Sequence, residues 1–114
     1  ATIACRFFCA RNTRPGRSLY TSNKVAIAGL TKTLAIELAE HNILVNSVAR
    51  GFTLTELTEQ TNTPDELKKL SDMIPIKRMA KPDEIANLVL YLSSGLNSYL
   101  TGQNVVIDGG YTNV

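Results

Sequence analysis

Apolar residues recur along this chain with two different periods, and the changes between them outline its elements. Residues 1–8 (ATIACRFF) are apolar enough to form a strand, and residues 11–19 (RNTRPGRSL), with Pro15-Gly16 at their centre, read as a loop. From Leu19 to Ala39 the period is helical. Ile27, Leu30, Leu34 and Leu38 recur at three- and four-residue steps, Ala26, Ala28 and Ala35 lie between them, and Asn42 supplies a stop. Ile43 to Ala49 is a short β-branched run suited to a buried strand, punctuated by Gly51. Thr63-Pro64-Asp65-Glu66 has the cap, proline and acid of a helix start. Lys81-Pro82-Asp83-Glu84 opens another helix, with Ile85, Leu88, Val89 and Leu92 on one face and Gly95 at its end. Asn104 to Ile107 reads as a second buried strand, closed by an Asp108-Gly109-Gly110 turn.

Strand, helix, strand, helices, strand is the order of a parallel α/β sheet with crossover helices. The runs 43–49 and 104–107 have the continuous apolar character of strands buried on both faces. Between Thr53 and Ala80, apolar residues such as Met73, Ile74 and Met79 alternate with polar ones, a composition suited to a mobile lid.

Composition narrows the functional classes. With 114 residues the chain is one small domain in length, and 44% apolar with 19% charged residues marks it as globular rather than disordered. No apolar run approaches the roughly 18 residues of a membrane span, so no membrane partner is expected. The net charge of +2 is unevenly spread: residues 1–19 hold Arg6, Arg11, Arg14 and Arg17 and no acid. Such a start resembles a nucleic-acid arm or a targeting segment. The mildly acidic remainder argues against nucleic acid, and the absence of a first methionine reads as a cut or mis-assigned end. Cys5 and Cys9, with only the distant His41 to help, fall short of a four-ligand metal site. Two unpaired thiols suit a reducing, cytoplasmic location.

Tyr20 and Lys24 lie one helical turn apart, so both side chains leave the same face. A phenol titrates near about pH 10 and is a poor acid–base catalyst at neutral pH. An ammonium a few ångströms away favours the phenolate, and the phenol can then exchange a proton with an alcohol or carbonyl oxygen. By itself the pair is a weak signal. Tyr-x-x-x-Lys arises by chance in roughly one chain of this size in four, and the ordinary alternative is a surface tyrosine beside a solvated lysine.

Several further motifs occur in order. Tyr20-Thr21-Ser22-Asn23-Lys24 is followed by Val25-Ala26-Ile27-Ala28-Gly29-Leu30, then by Ile43-Leu44-Val45-Asn46-Ser47-Val48-Ala49-Arg50-Gly51 and Gly51-Phe52-Thr53-Leu54-Thr55. Arg78 to Ala86 (RMAKPDEIA), Tyr99-Leu100-Thr101-Gly102-Gln103 and Ile107-Asp108-Gly109-Gly110 complete the series. From about Pro15 to Tyr111 the chain resembles the C-terminal half of the short-chain dehydrogenase/reductase family, whereas residues 1–14 fit the pattern poorly. The resemblance implies the C-terminal part of a doubly wound, Rossmann-type parallel sheet. It implies hydride transfer between NAD or NADP and a small alcohol or carbonyl substrate, and a homo-oligomer formed through the Tyr20–Ala39 helix. Tyr20 would be the acid–base residue, and Lys24 would hold the nicotinamide ribose and tune the phenol. The backbone at Gly51 and Thr53, with the Thr55 hydroxyl, would hold the nicotinamide carboxamide. Without the resemblance, Thr53 and Thr55 read as turn or capping hydroxyls, and His41 as an exposed residue near a helix C-terminus.

Three departures qualify these expectations. No glycine-rich phosphate loop precedes Tyr20, where Gly16 is the only glycine, and the catalytic asparagine that the family carries on a preceding helix is expected to lie outside this chain. Phe7 stands about thirteen residues before the tyrosine, where the family places a substrate-orienting serine. Arg50 replaces the proline that ordinarily precedes the glycine of the cofactor turn, adding charge and flexibility. The alternative to an enzyme half is therefore a non-catalytic remnant or interaction module derived from one. The abrupt change before Pro15 suggests a shifted reading frame.

Overall fold

The computed structural model describes residues 15–113 in full and residues 2–8 as backbone. The elements are β1 (Thr2–Phe8), α1 (Ser18–Leu38), β2 (Leu44–Arg50), α2 (Glu56–Thr61), α3 (Pro64–Met73), α4 (Pro82–Ser93) and β3 (Asn104–Ile107). The three strands form one parallel sheet in the order β1-β2-β3. β1 pairs with β2 along its whole length, from Thr2 opposite Leu44 to Phe8 opposite Arg50. The apolar start of the chain is thus a strand, as its composition predicts.

β2 is the centre of the sheet, and its alternation separates two layers. Val48 packs with Ile85 and Leu92 of α4, while the next residue, Ala49, packs against Ile27 and Ala28 of α1. The period-2 alternation of a strand thus puts the two helices on opposite faces. β2 is buried from Val45 to Ala49, as its apolar run implies.

The expectation for 104–107 needs correction. In β3, Asn104 and Val106 are exposed while Val105 and Ile107 are half-buried. β3 is an edge strand covered chiefly on one face, so four apolar-looking residues do not make a strand buried on both.

Buried polar groups lock the segment before β3 onto β2. The Asn46 amide donates to the Leu100 carbonyl at 2.8 Å and accepts from the Gln103 N–H at 3.2 Å. The Val45 N–H donates to the Thr101 hydroxyl at 3.0 Å, and Asn97 donates to the carbonyls of Leu92 and Leu100. The Tyr99–Gln103 motif therefore works as a clamp, and among the described residues no buried side-chain N or O atom lacks a hydrogen-bond partner.

Helix ends follow the local signals. α1 passes through a 3-10 turn (Ala39–His41) and stops at Asn42, whose φ of 58° is left-handed and whose N–H donates to the Ala39 carbonyl. His41 is exposed there, 3.6 Å from Glu40. At α3, the Thr63 hydroxyl accepts from the Glu66 N–H while the Glu66 carboxylate accepts from the Thr63 N–H, a complete capping box. α2, only six residues long, is too short to show a period in the sequence. The stretch 53–80 therefore contains two helices, and its ends are clasped by a parallel bridge between Thr53 and Ala80.

Candidate active site

In a parallel β1-α1-β2 unit the helix runs back against the strands, so the start of α1 lies near the C-terminal end of the sheet. Tyr20 and Lys24 occupy the first two turns of α1. Thr31 and Ala35, further along the same face, are buried, and Ile27 and Ala28, between Lys24 and Thr31, pack on Ala49. The helical period therefore carries Tyr20 and Lys24 on the sheet-facing stripe, at the end where it emerges from the core. Tyr20 is 37% exposed, and the Lys24 ammonium lies 5.2 Å from the centroid of its ring. The guanidinium of Arg17 lies 5.5 Å from the same centroid, a neighbour that the spacing of the Tyr-Lys pair does not reveal.

β2 delivers Gly51 to the same end of the sheet. Its N–H donates to the Ile107 carbonyl at 2.9 Å, drawing the ends of β2 and β3 together. A Cβ on residue 51 would sit 2.7 Å from the Asp108 Cβ and 2.8 Å from its Cα, so only glycine fits. Thr53 is buried, and its hydroxyl donates to the Gly51 carbonyl at 3.2 Å. Thr55 caps α2 by accepting from the Thr58 N–H, and the Thr55 and Thr58 hydroxyls are 2.9 Å apart. Because the Thr58 hydroxyl donates to the Thr53 carbonyl, Thr55 must supply the proton of the Thr55–Thr58 bond. That leaves one acceptor position on Thr55. Turn and capping roles are thus real for both threonines, and the Thr55 role still leaves room for an amide donor.

Phe7 lies opposite Ala49 and Arg50 lies between Phe8 and Ile107, both near the C-terminal end of their strands. Asp108, at the end of β3, accepts from the N–H groups of Gly110 and Thr112 and from the Thr112 hydroxyl. Partial burial alone would push this carboxyl up. The hydrogen bonds from Thr112, Gly110 and Tyr111 outweigh it and hold the group below the usual carboxylate range. The Asp-Gly-Gly motif is a strand-ending turn, with Gly109 and Gly110 at φ values of 64° and 89° packed under Ile74, Pro75 and Ile76.

A cavity of about 250 Å³ lies between this turn and residues 74–84, lined by Phe52, Ile74, Ile76, Arg78 and Ile107 among others. Neither Tyr20 nor Lys24 lines it. Arg78 and Glu84 form a two-pronged ion pair at 2.7 and 2.8 Å. The Arg78 side-chain bond, with the Lys81 N–H, holds Glu84 well below the usual glutamate range, at about 2. Among the described residues no cluster of three or more His, Cys, Asp or Glu could hold a metal, and no helix is long and apolar enough to cross a membrane. Cys9 lies outside the described residues, as do Arg11 and Arg14, while Cys5 and Arg6 are described only as backbone.

Comparison with known proteins settles the family. The family model described as enoyl-(acyl carrier protein) reductase matches residues 1–112. The chain belongs to the short-chain dehydrogenase/reductase family. It is 44% identical over 97 residues to a 3-oxoacyl-[acyl-carrier-protein] reductase from Thermotoga maritima, an alignment covering 84% of this chain and 39% of that relative. A short-chain dehydrogenase family protein from Francisella tularensis superposes with a TM-score of 0.89 at 34% identity, covering 100% of this chain and 52% of that one. A gluconate 5-dehydrogenase from Burkholderia cenocepacia, solved with NADP and tartrate, gives a TM-score of 0.87 at 26% identity, covering 99% and 45%. The short-chain dehydrogenase/reductase chain here therefore spans about 40% of the length of the curated relative, and its fold is the corresponding part of a Rossmann-like α/β domain.

Proposed function

We propose that this chain carries the catalytic-helix half of an oxidoreductase that transfers a hydride between NAD or NADP and an alcohol or carbonyl compound. The observation that carries the reading is the Lys24 ammonium 5.2 Å from the Tyr20 ring, on the helix stripe that emerges at the C-terminal end of the sheet. Ligands of open α/β sheets bind at that end. When bound, the nicotinamide supplies or accepts the hydride. Tyr20 moves the proton: its hydroxyl donates to the carbonyl oxygen in reduction and takes the proton back in oxidation. Lys24 stabilises the phenolate that remains and holds the ribose.

The residues present suit the nicotinamide end of a dinucleotide. Thr55 keeps one free acceptor for a carboxamide N–H, and it sits on the turn that Gly51 opens at the end of β2. The pyrophosphate end would need a glycine-rich loop, which these 114 residues do not contain. We therefore assign catalysis to a form of the protein that includes such a loop, and little or none to these residues alone. A homo-oligomer through α1 accords with its exposed Leu30 and Ile36.

The test is Tyr20→Phe in a cofactor-binding form of the protein. Turnover should fall by about 100-fold or more, with cofactor affinity nearly unchanged, because the hydroxyl acts only in proton transfer. Near-normal turnover in that variant would remove Tyr20 from the acid–base role. Complete inactivity of the parent form under the same conditions would favour the non-catalytic remnant, which the Phe7 and Arg50 departures also motivate.

A further inference from the structure

The ring of Tyr20 is flanked by two cations, Arg17 at 5.5 Å and Lys24 at 5.2 Å from its centroid. Lys24 has a place in the proton transfer proposed above; Arg17 does not. Nor does Arg17 have an evident structural task. It stands at the N-cap of α1, but its side chain makes no capping bond. Among the described residues Arg17 takes part in neither of the pairs His41–Glu40 and Arg78–Glu84 and has no acidic partner. The sequence accounts for this, since no Asp or Glu precedes Glu37. An exposed cation over a ring contributes little to stability. Arg50, the last residue of β2, adds a further positive charge at this end of the sheet.

A guanidinium offers a planar fork of donors that matches a carboxylate two-pronged, which an ammonium cannot do. We propose that Arg17 is a specificity-determining residue that binds the carboxylate of an anionic substrate while the substrate's hydroxyl or carbonyl oxygen rests at Tyr20. The substrate class is a short hydroxy- or oxo-carboxylic acid, the smallest molecule that presents both groups to neighbouring side chains. This deepens the reading of Tyr20 as the acid–base group and rests on it. The carboxylate keeps the same charge through the reaction, so its contact with Arg17 strengthens ground-state and transition-state binding alike.

The experiment titrates the 114-residue chain with 3-hydroxybutyrate and, separately, with its neutral methyl ester, following the Arg17 side-chain and Tyr20 ring signals by NMR. The expected result is a preference for the acid of about fivefold, the scale of one exposed charge-assisted contact. That preference disappears in Arg17→Gln, returns in part in Arg17→Lys, and weakens with salt. Arg17 is exposed, so its variants should keep the parent's amide spectrum. If acid and ester bind equally and both shift the Tyr20 ring, the substrate site stands and the role of Arg17 is overturned. If the preference persists in Arg17→Gln, it belongs to Lys24 or Arg50, and the proposal also falls. If neither ligand moves Tyr20, the proposal fails together with the location of the substrate site.

Discussion

Replacing Gly51 by alanine adds one methyl group at the point where β2 and β3 end side by side. The new Cβ would lie 2.7 Å from the Asp108 Cβ and 2.8 Å from its Cα, about 0.7 Å closer than ordinary van der Waals contact. The atoms in the way cannot swing aside. Asp108 is held by the bond between the Gly51 N–H and the Ile107 carbonyl, and by its own bonds to Gly110 and Thr112. Relief therefore requires backbone movement, which costs about 1–3 kcal/mol in an overpacked site. A lost bond to Ile107 would add about 1 kcal/mol. With a urea dependence of about 1.5 kcal/mol per molar, the unfolding midpoint should drop by roughly 1–2.5 M. Gly29→Ala is the control: no atom lies within 4 Å of its Cβ position, on an exposed part of α1. Helix propensity alone should raise stability there by about 0.5–1 kcal/mol. Urea unfolding followed by circular dichroism measures both. A Gly51→Ala midpoint within about 0.3 M of the parent would show that the strand ends are loosely joined and refute the reasoning.

Three further outcomes are expected. Glu84 has a folded pKa of about 2 against an ordinary 4.5, so its pairing with Arg78 stabilises the fold fully above the ordinary value and is lost as the pH falls towards 2. Urea midpoints measured from pH 6 to pH 2 should therefore decline less in Glu84→Gln than in the parent. Lys77 is held at a φ of 63°, and Lys77→Gly should stabilise by about 0.5–1 kcal/mol despite losing the Lys77 ammonium bond to the Asp72 carbonyl; a lower midpoint would contradict this. The 114-residue chain should show no saturable NADH binding at micromolar concentration by nicotinamide fluorescence, since it has no glycine-rich loop to hold the pyrophosphate.

Much of this protein was legible from local signals, because those signals act over a few residues. The α1 period, the Asn42 stop and the Thr63–Glu66 box predicted helix limits that differ from the observed ones by a residue or so. The ordered motifs likewise pointed to the right family, since their order and spacing can be read along the chain without the fold. α2 escaped notice because six residues complete too few turns to show a period.

What the tertiary structure alone decided involves residues far apart in sequence. Whether 104–107 is a central or an edge strand depends on what pairs beside it, and its four residues carry no mark of that; β3 is an edge. Asn46 can be buried in β2 because carbonyl and amide partners arrive 54 and 57 residues later, which the run itself does not show. Gly51 reads as a simple strand stop, but the need for glycine comes from Asp108 on the neighbouring strand. Arg17, one arginine among several near the start, became a candidate only when its guanidinium was placed over the Tyr20 ring. Periodicity and capping depend on neighbours along the chain, whereas pairing, close approach and charge clustering depend on neighbours in space, which only the folded sheet supplies.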